Sequence, residues 1–146
     1  SASRSWPGRR VRRPSPGISP IPPTRRALVE ACAGRCDILV NNAGYGEPGP
    51  VELVKDEDAR RQMELNLFAP VALIREVLPL MRAQRFGRIV NVSSVAGRLG
   101  YPLFGWYCAS KHALEGLSDA LRLEVAPWGI GVSLIEPGPF TRSSST

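Results

Sequence analysis

The stretch Asp37-Ile38-Leu39-Val40-Asn41-Asn42-Ala43-Gly44 decides the fold, because it joins a short apolar run to a polar turn that contains glycine. Residues 37–41 have the length of a strand, and the three residues at their centre are all apolar. Such a strand is typical of a parallel sheet in which both faces are buried. The stretch therefore predicts an interior strand that ends at an exposed turn.

Further along the chain, apolar periodicity predicts two long helices that alternate with two more strands. Strands joined by helical crossovers lie parallel, so the order β–α–β–α–β predicts an α/β fold, half of a doubly wound, three-layer Rossmann-type sheet. The predicted elements are a helix over residues 56–85, a strand over 88–92, a helix over 105–125 and a strand over 130–135.

The helices carry specific expectations about their buried faces and their ends. Pro70 and Pro79 are expected to bend or break the first helix, and Gly87 to stop it. Pro127 and Gly129 are expected to end the second. The apolar positions are predicted to be Leu65, Phe68, Ala72 and Leu73 in the first helix, and Ala109, Ala113, Leu114, Leu117, Leu121 and Val125 in the second.

The first 26 residues differ from the rest in charge and composition. They carry seven arginines and no acidic residue (+7), whereas the other 120 residues carry 12 basic and 13 acidic side chains (−1). With six of the 14 prolines and few large aliphatic residues, this segment is predicted to be disordered. The folded domain is predicted to be residues 27–146. A short helix over residues 25–34, capped by Thr24, is expected to begin it and to place Cys32 and Cys36 on one face.

Composition also bears on the partners and the compartment. The basic segment has Trp6 as its only aromatic residue and so lacks a stacking platform, which argues against specific nucleic-acid binding. The segment is either a selected basic arm or foreign to the domain, because a GC-rich frame translated out of register yields similar residues. No apolar run reaches the roughly 20 residues that span a bilayer, and no signal-peptide pattern is present. With only three cysteines, we expect a reduced, cytoplasmic protein with no membrane partner.

Several candidate sites are set aside on their context. Residues 44–49 match G-x-G-x-x-G, but Pro48 and Pro50 flank the last glycine, so no helix can open there to bind a pyrophosphate. The single histidine, His112, lies inside a predicted helix, which argues against a serine hydrolase. Three cysteines without a matching ligand pair do not make a zinc site, and no metal is expected.

Tyr107 and Lys111 are a stronger candidate pair. At i and i+4 of the second helix they share one face. A cation held beside the ring favours phenolate and lowers the pKa of a tyrosine, which makes it a competent proton shuttle. Ser94 follows the second strand, at the edge of the sheet where open parallel sheets bind ligands. The spacing alone also fits a packed tyrosine and a solvent-facing lysine, and the serine at the strand end favours the functional interpretation.

Five separated motifs occur in order along the chain: Asn41-Asn42-Ala43-Gly44, Asn66, Ser94, Tyr107 with Lys111, and the loop over residues 137–141. Together they resemble the short-chain dehydrogenase/reductase family over about residues 27–141. The resemblance implies reversible hydride transfer between a secondary alcohol or ketone and NAD or NADP, with Tyr107 as acid/base. Ser94 would stabilise the substrate oxygen, Lys111 would bind the nicotinamide ribose, and Asn66 would hold a water in a proton relay. The implied catalytic residues are Asn66, Ser94, Tyr107 and Lys111. The implied cofactor-binding residues are Asn42, Ala43, Gly44, Tyr107, Lys111, Pro137, Gly138, Phe140 and Thr141.

The sequence also departs from the family pattern. Nothing like T-G-x-x-x-G-x-G occurs in residues 1–36, so we expect weak cofactor binding, with NAD and NADP equally open. The alternative to an oxidoreductase is a catalytically inactive fragment that acts by subunit association, with the two long helices as a homo-oligomer interface. The loop over residues 97–105, with Leu99, Tyr101, Leu103 and Phe104, favours an apolar alcohol or ketone as substrate. Ile38, Leu39 and Val40 are expected to form an apolar sheet edge.

Overall fold

A computed structural model describes residues 27 and 29–138 of the chain. The predictions made for residues 1–26, for the Thr24 cap, and for Phe140 and Thr141 lie outside the described residues.

A three-stranded parallel sheet forms the centre of the fold, as predicted. The strands are β1 (Ile38–Asn41), β2 (Gly87–Val92) and β3 (Ile130–Ile135), and they lie in the order β1-β2-β3. Both pairings are parallel. The α/β fold with part of a doubly wound sheet is therefore confirmed.

The first long helix is interrupted where the sequence predicted a continuous one. It consists of α1 (Asp56–Met63), a π-helical segment (Glu64–Phe68) and α2 (Ala69–Gln84). Pro70 lies in the first turn of α2, where its missing N–H costs little, and the helix continues through Pro79. The helix is therefore not broken at either proline, and the bend that was also expected there stays a prediction. The helix also ends before Gly87, since Arg85 adopts the left-handed conformation with φ 54°.

The π-helical segment explains why the predicted buried face of this helix was wrong. Leu65 and Phe68 are 38% and 54% exposed. A π turn holds about one residue more than an α turn, so it rotates all following residues relative to a 3.6-residue repeat. The buried face of α2 instead carries Ile74, Val77, Leu78 and Met81.

The second long helix, α3, spans Gly105–Val125, and its predicted bounds are confirmed. A 3₁₀ turn (Ala126–Trp128) follows it, and Gly129 completes the exit with φ 73°. Leu114, Leu121 and Val125 are buried as expected, but Ala109 is exposed. The buried face of α3 also contains four polar residues that apolar periodicity could not predict: Ser110, Lys111, Glu115 and Ser118.

The core lies between one face of the sheet and the two helices α2 and α3. Met81 of α2, Ile89 of β2 and Val125 of α3 are each wholly or almost wholly buried within it. On the opposite face of the sheet, Ile38 and Val40 are 62% and 56% exposed. The expectation that both faces of β1 are buried was therefore wrong for the described residues. Among them β1 is an edge strand with apolar side chains on its outer face, and this agrees with the second expectation.

The segment before β1 is shorter in helix than predicted. Ala27, Val29 and Glu30 are helical, and a turn covers residues 31–34. Positive φ angles at Ala33 and Gly34 end the helical path. Cys32 therefore lies in the turn and Cys36 beyond it, so they do not share a helix face as predicted.

Candidate active site

A cleft of about 700 Å³ opens at the carboxyl ends of the three strands. The turns that follow β1, β2 and β3 each contribute to its wall, and α3 contributes a fourth side. The predicted site residues that line it are Asn42, Gly44, Ser94, Tyr107, Lys111, Pro137 and Gly138. Three separated turns and one helix, predicted to be neighbours from their strand-end positions, thus surround one space.

Lys111 is the buried cation of this cleft. Its side chain is held by a hydrogen bond from Nζ to the Val92 carbonyl at 2.8 Å, and the residue is 4% exposed. Burial lowers the pKa of the Lys111 ammonium, and the nearby Glu115 carboxylate partly offsets this by raising it. The bland alternative, a lysine that extends into solvent, does not describe this residue.

Tyr107 lies beside that cation on the same face of α3. Lys111 Nζ is 5.8 Å from the centroid of the Tyr107 ring, and the Phe104 ring packs edge-on against Tyr107 with centroids 6.4 Å apart. A Cβ on Gly46 would lie 3.3 Å from both rings, so glycine at this position leaves room for them. The ring is therefore packed between Phe104 and Gly46, with the Lys111 ammonium over it.

Asn66 lies behind the cleft in the π-helical segment. Its side-chain amide donates to the Tyr45 carbonyl at 2.8 Å and to Ser110 Oγ at 3.0 Å, and its Oδ1 accepts from the Tyr45 N–H at 3.1 Å. A Cβ on Gly44 would lie 3.1 Å from Asn66 Oδ1 and 3.4 Å from Lys111 Nζ. Asn66 and Lys111 therefore converge on Gly44, and Asn66 ties the turn after β1 to α3.

Ser94 caps the 3₁₀ turn Val95–Gly97 that follows β2. Its Oγ accepts a hydrogen bond from the Ala96 N–H at 3.1 Å. A serine hydroxyl also carries one donor, and the bond from the Ala96 N–H does not use that O–H. It is left to donate to an oxygen in the cleft. The neighbouring Ser93 is buried, and its Oγ has no hydrogen-bond partner among the described residues.

A buried polar chain supports the strand ends. Asn41 Nδ2 donates to Asn91 Oδ1 at 2.8 Å, and Asn91 Nδ2 donates to Ser118 Oγ at 2.9 Å. This chain links β1, β2 and α3 directly beneath the turns that form the cleft. Sequence reasoning missed Asn91 and Ser118. Asn91 follows Ile89 by two residues, on the same face of β2, and this was the available signal.

An ion-pair cluster next to the cleft was also missed. Arg98 Nη2 is 3.2 Å from Glu115 Oε2 and 3.0 Å from Glu136 Oε1. Glu115 lies four residues after Lys111 on α3, and that spacing could have placed it on the same face.

Residues 44–49 and His112 can be located in the described part of the chain. No helix begins in residues 44–49, the first helix after β1 being α1. His112 is exposed on α3, with its Nδ1 2.9 Å from the Cys108 carbonyl oxygen. Among residues 27 and 29–138, no group of three or more histidine, cysteine, aspartate or glutamate side chains is arranged to hold a metal ion. No helix in that part of the chain is long and apolar enough to cross a membrane.

The chain is similar in sequence to a family of dehydrogenases and to individual reductases. A family described as short chain dehydrogenase matches residues 24–145. The chain is 50% identical over 107 residues to the 3-ketodihydrosphingosine reductase of Bacteroides thetaiotaomicron, covering 73% of this chain and 40% of that protein. It is 44% identical over 107 residues to the NADPH-dependent 3-dehydrocapnine reductase of Ornithobacterium rhinotracheale, covering 70% of this chain and 38% of that protein. The chain thus spans less than half the length of these relatives.

Solved structures agree with this likeness. A short-chain dehydrogenase from Streptomyces avermitilis superimposes with a TM-score of 0.77 at 40% identity, covering 83% of this chain and 46% of that one. An NAD⁺-bound xylitol dehydrogenase superimposes with a TM-score of 0.74 at 34% identity, covering 78% of this chain and 45% of that one.

Proposed function

The chain belongs to the short-chain dehydrogenase family, and on this premise we propose that it carries the proton-transfer site of an NAD(P)-dependent oxidoreductase. The reaction would interconvert a secondary alcohol and a ketone. The observation that carries the proposal is the convergence of Ser94, Tyr107 and Lys111 on one cleft, with Asn66 held behind it at Gly44.

The cleft fits the nicotinamide end of such a cofactor. A volume of about 700 Å³ is of the size that binds small ligands. Among the described residues, no atom lies within 4 Å of the position that a Cβ on Gly138 would occupy. Lys111 would bind the ribose hydroxyls, while Asn42, Ala43 and Gly44 would approach the cofactor from β1 and Pro137 and Gly138 from β3. Phe140 and Thr141, which the family resemblance assigns to cofactor binding, lie outside the described residues. When bound, the nicotinamide supplies or accepts the hydride.

The chain's own residues would move the proton. In the oxidation, Tyr107 as phenolate takes the proton of the substrate alcohol. In the reduction, Tyr107 as phenol donates its proton to the ketone oxygen. Lys111 stabilises the phenolate through its charge. Ser94 donates its hydroxyl hydrogen to the same substrate oxygen and stabilises the charge that develops there. Asn66, bonded to Ser110 on α3, would hold the relay water that leads to solvent.

The substrate class is proposed from the cleft wall. Tyr101, Pro102 and Phe104 line the cleft beside Ser94 and Tyr107, so we propose a ketone or alcohol with an apolar substituent. The two named relatives are reductases of 3-keto compounds by their names, which supports the carbonyl chemistry. The proposed domain is residues 27–146, and the cytoplasmic location stays a prediction.

The decisive test is the loss of the Tyr107 hydroxyl. Residues 37–141 would be completed with the amino-terminal half and the carboxyl-terminal segment of a family member, and turnover of an aryl ketone with NADPH or NADH measured. Tyr107→Phe should lower kcat by about 10²–10⁴-fold, the usual contribution of a positioned acid/base. Tyr101→Phe is the matched control, because it removes another hydroxyl from the same cleft. Turnover of Tyr107→Phe near that of the parent would refute the assignment.

A second candidate function is subunit association without catalysis. It is favoured by the exposed apolar side chains Leu65 and Phe68 on the first long helix and Leu123 on α3. Fluorescence titration of the 146-residue chain with NADH and NADPH separates the two candidates. Saturable binding that competes with unlabelled NAD⁺ or NADP⁺ supports the oxidoreductase. Association in sedimentation without any cofactor binding supports the second candidate.

A further inference from the structure

Arg98 joins three segments that meet beside the cleft. Its Nη2 lies 3.2 Å from Glu115 Oε2, and its Nε and Nη2 donate to Glu136 Oε1 at 3.3 and 3.0 Å. Arg98 directly follows the 3₁₀ turn that Ser94 caps. Glu115 lies one helical turn after Lys111 on α3, and Glu136 lies between β3 and Pro137. One guanidinium therefore contacts the catalytic helix and the end of β3 from the turn after β2.

The contact with Glu115 is a buried one. The Glu115 side chain is 5% exposed, and neither of its oxygens has a hydrogen-bond partner among the described residues. A buried carboxylate without a compensating charge is costly, and the Arg98 guanidinium lies beside Glu115 as an opposite charge. Glu115 also interacts electrostatically with Lys111.

Gly97 permits this close approach. A Cβ at Gly97 would lie 2.9 Å from Glu115 Cγ and 2.7 Å from Ser93 Oγ. A side chain at this position would push the turn away from α3. Glycine therefore lets the turn after β2 pack directly on the helix, which brings the next residue, Arg98, over Glu115.

Backbone hydrogen bonds join the same turn to the end of β3. The Ser93 N–H donates to the Ile135 carbonyl at 2.7 Å, and the Val95 N–H donates to the Pro137 carbonyl at 3.1 Å. The first bond continues the sheet, whereas the second lies beyond the last residue of β3. The spacing between the Ser94 turn and the Pro137–Gly138 wall therefore depends on the Val95 bond and on the link from Arg98 to Glu136.

We propose that Arg98 is a positioning residue that clamps the Ser94 turn and the Pro137–Gly138 wall to α3 through its paired contacts with Glu115 and Glu136. The guanidinium suits this role because its fork of donors can engage two carboxylates in fixed directions. The clamp sets the width of the cleft between the turn after β2 and the turn after β3. Its consequence for cofactor affinity rests on the proposed function, whereas its effect on the two turns does not.

Hydrogen exchange of the 146-residue chain tests the clamp directly. Glu136→Met removes the acceptor oxygen and with it the link to β3, but leaves Arg98 paired with the buried Glu115. The exchange rate of the Val95 amide should rise at least tenfold, while the Ser93 amide keeps its protection and the thermal midpoint is unchanged. Arg61→Met is the matched control, because it breaks an Arg61–Asp58 pair of similar length (3.2 Å) on α1.

Arg98→Met removes both links and should raise Val95 exchange in the same way, with a lower thermal midpoint because Glu115 loses its partner. If that variant fails to fold, Arg98→Met with Glu115→Gln is compared with Glu115→Gln alone, since the buried charge is then absent from both. Val95 exchange should again be at least tenfold faster in the variant that lacks Arg98. Unchanged Val95 exchange in Glu136→Met, or in this second comparison, would overturn the proposal.

Cofactor titration supplies a readout that a purely structural role would not change. With NADPH and NADH as probes, Glu136→Met should raise the dissociation constant at least threefold at an unchanged thermal midpoint. An unchanged dissociation constant would overturn the part of the proposal that concerns the cleft. If the parent chain binds neither probe, the proposed function fails, and the exchange experiment alone decides whether Arg98 clamps the turns.

Discussion

The two faces of strand β1 differ in an unexpected direction. The polar Asn41, on the inner face, is 7% exposed, whereas the apolar Ile38 and Val40, on the outer face, are 62% and 56% exposed. Asn41 is buried because Asn91 accepts its hydrogen bond at 2.8 Å, and Asn91 is bonded in turn to α3. The outer apolar face has no comparable partner among the described residues.

This contrast teaches which parts of the fold are complete within the described residues. A buried polar group is tolerated only where its hydrogen bonds are made, and at the carboxyl edge of the sheet three elements of this chain make them. Apolar residues on a strand are typical of a covered face, but in β1 that face is open. The cleft is therefore supported by contacts internal to the chain, while the outer face of β1 is suited to further packing.

Asn91→Ala tests the polar contact on the inner face of the sheet, and we expect it to have the largest effect on stability. It removes both hydrogen bonds that Asn91 makes and leaves a cavity at a fully buried position. The expected loss is about 3 kcal/mol in the free energy of unfolding, the sum of an unpaired buried donor and a lost side chain. Urea denaturation measures it. Ser133→Ala, at an exposed position of β3, is the control. A loss no larger than that of the control would show that the buried chain of amides does not support the sheet.

Some elements of the fold could be predicted from the sequence and others could not. The strands, the bounds of α3 and the convergence of Ser94, Tyr107 and Lys111 follow from local patterns and from the rule that parallel strands end at one edge. The π-helical segment at Glu64–Phe68 does not, because apolar periodicity presumes 3.6 residues per turn.

The buried polar contacts escaped prediction for another reason. Asn91 is paired with a residue 27 positions away, and Arg98 with one 38 positions away. Neither side chain has a local pattern that distinguishes it from an exposed polar residue. Their partners depend on how the turn after β2 packs against α3, which is set by long-range contacts such as that of Gly97 with Glu115.

Lys111→Met tests the buried cation on the inner side of the cleft through the pH dependence of stability. We expect an effect on the free energy of unfolding between those of the other two substitutions. Burial lowers the pKa of Lys111 in the folded chain below its usual value of 10.5. Below the folded-state pKa both states hold the proton, so the cost of burying the charge is fully present. Between that pKa and about 10.5 the folded lysine loses its proton first, and the cost is relieved. The stability of the parent relative to Lys111→Met should therefore rise with pH in this window, by at most about 1.4 kcal/mol per pH unit.

Urea denaturation at several pH values between 7 and about 10.5 measures this difference. Lys55→Met, which removes the exposed lysine before α1, gives the effect of losing a surface charge. A parent whose stability relative to Lys111→Met falls as the pH rises through the window would contradict the buried-cation description.

Val40→Lys tests the apolar outer face of β1, and we expect it to cause the smallest change in stability. Val40 is more than half exposed on the outer face of an edge strand, so the free energy of unfolding should change by less than about 0.5 kcal/mol. Association should change more, because exposed apolar edge strands pair with one another and an edge lysine prevents such pairing. Sedimentation velocity should show the parent chain associating and Val40→Lys shifted toward monomer. Leu53→Lys is the matched control, because Leu53 is equally apolar and more exposed but lies in the loop before α1. If Leu53→Lys reduces association as much as Val40→Lys, general surface hydrophobicity drives it, and the edge of β1 has no special part in it.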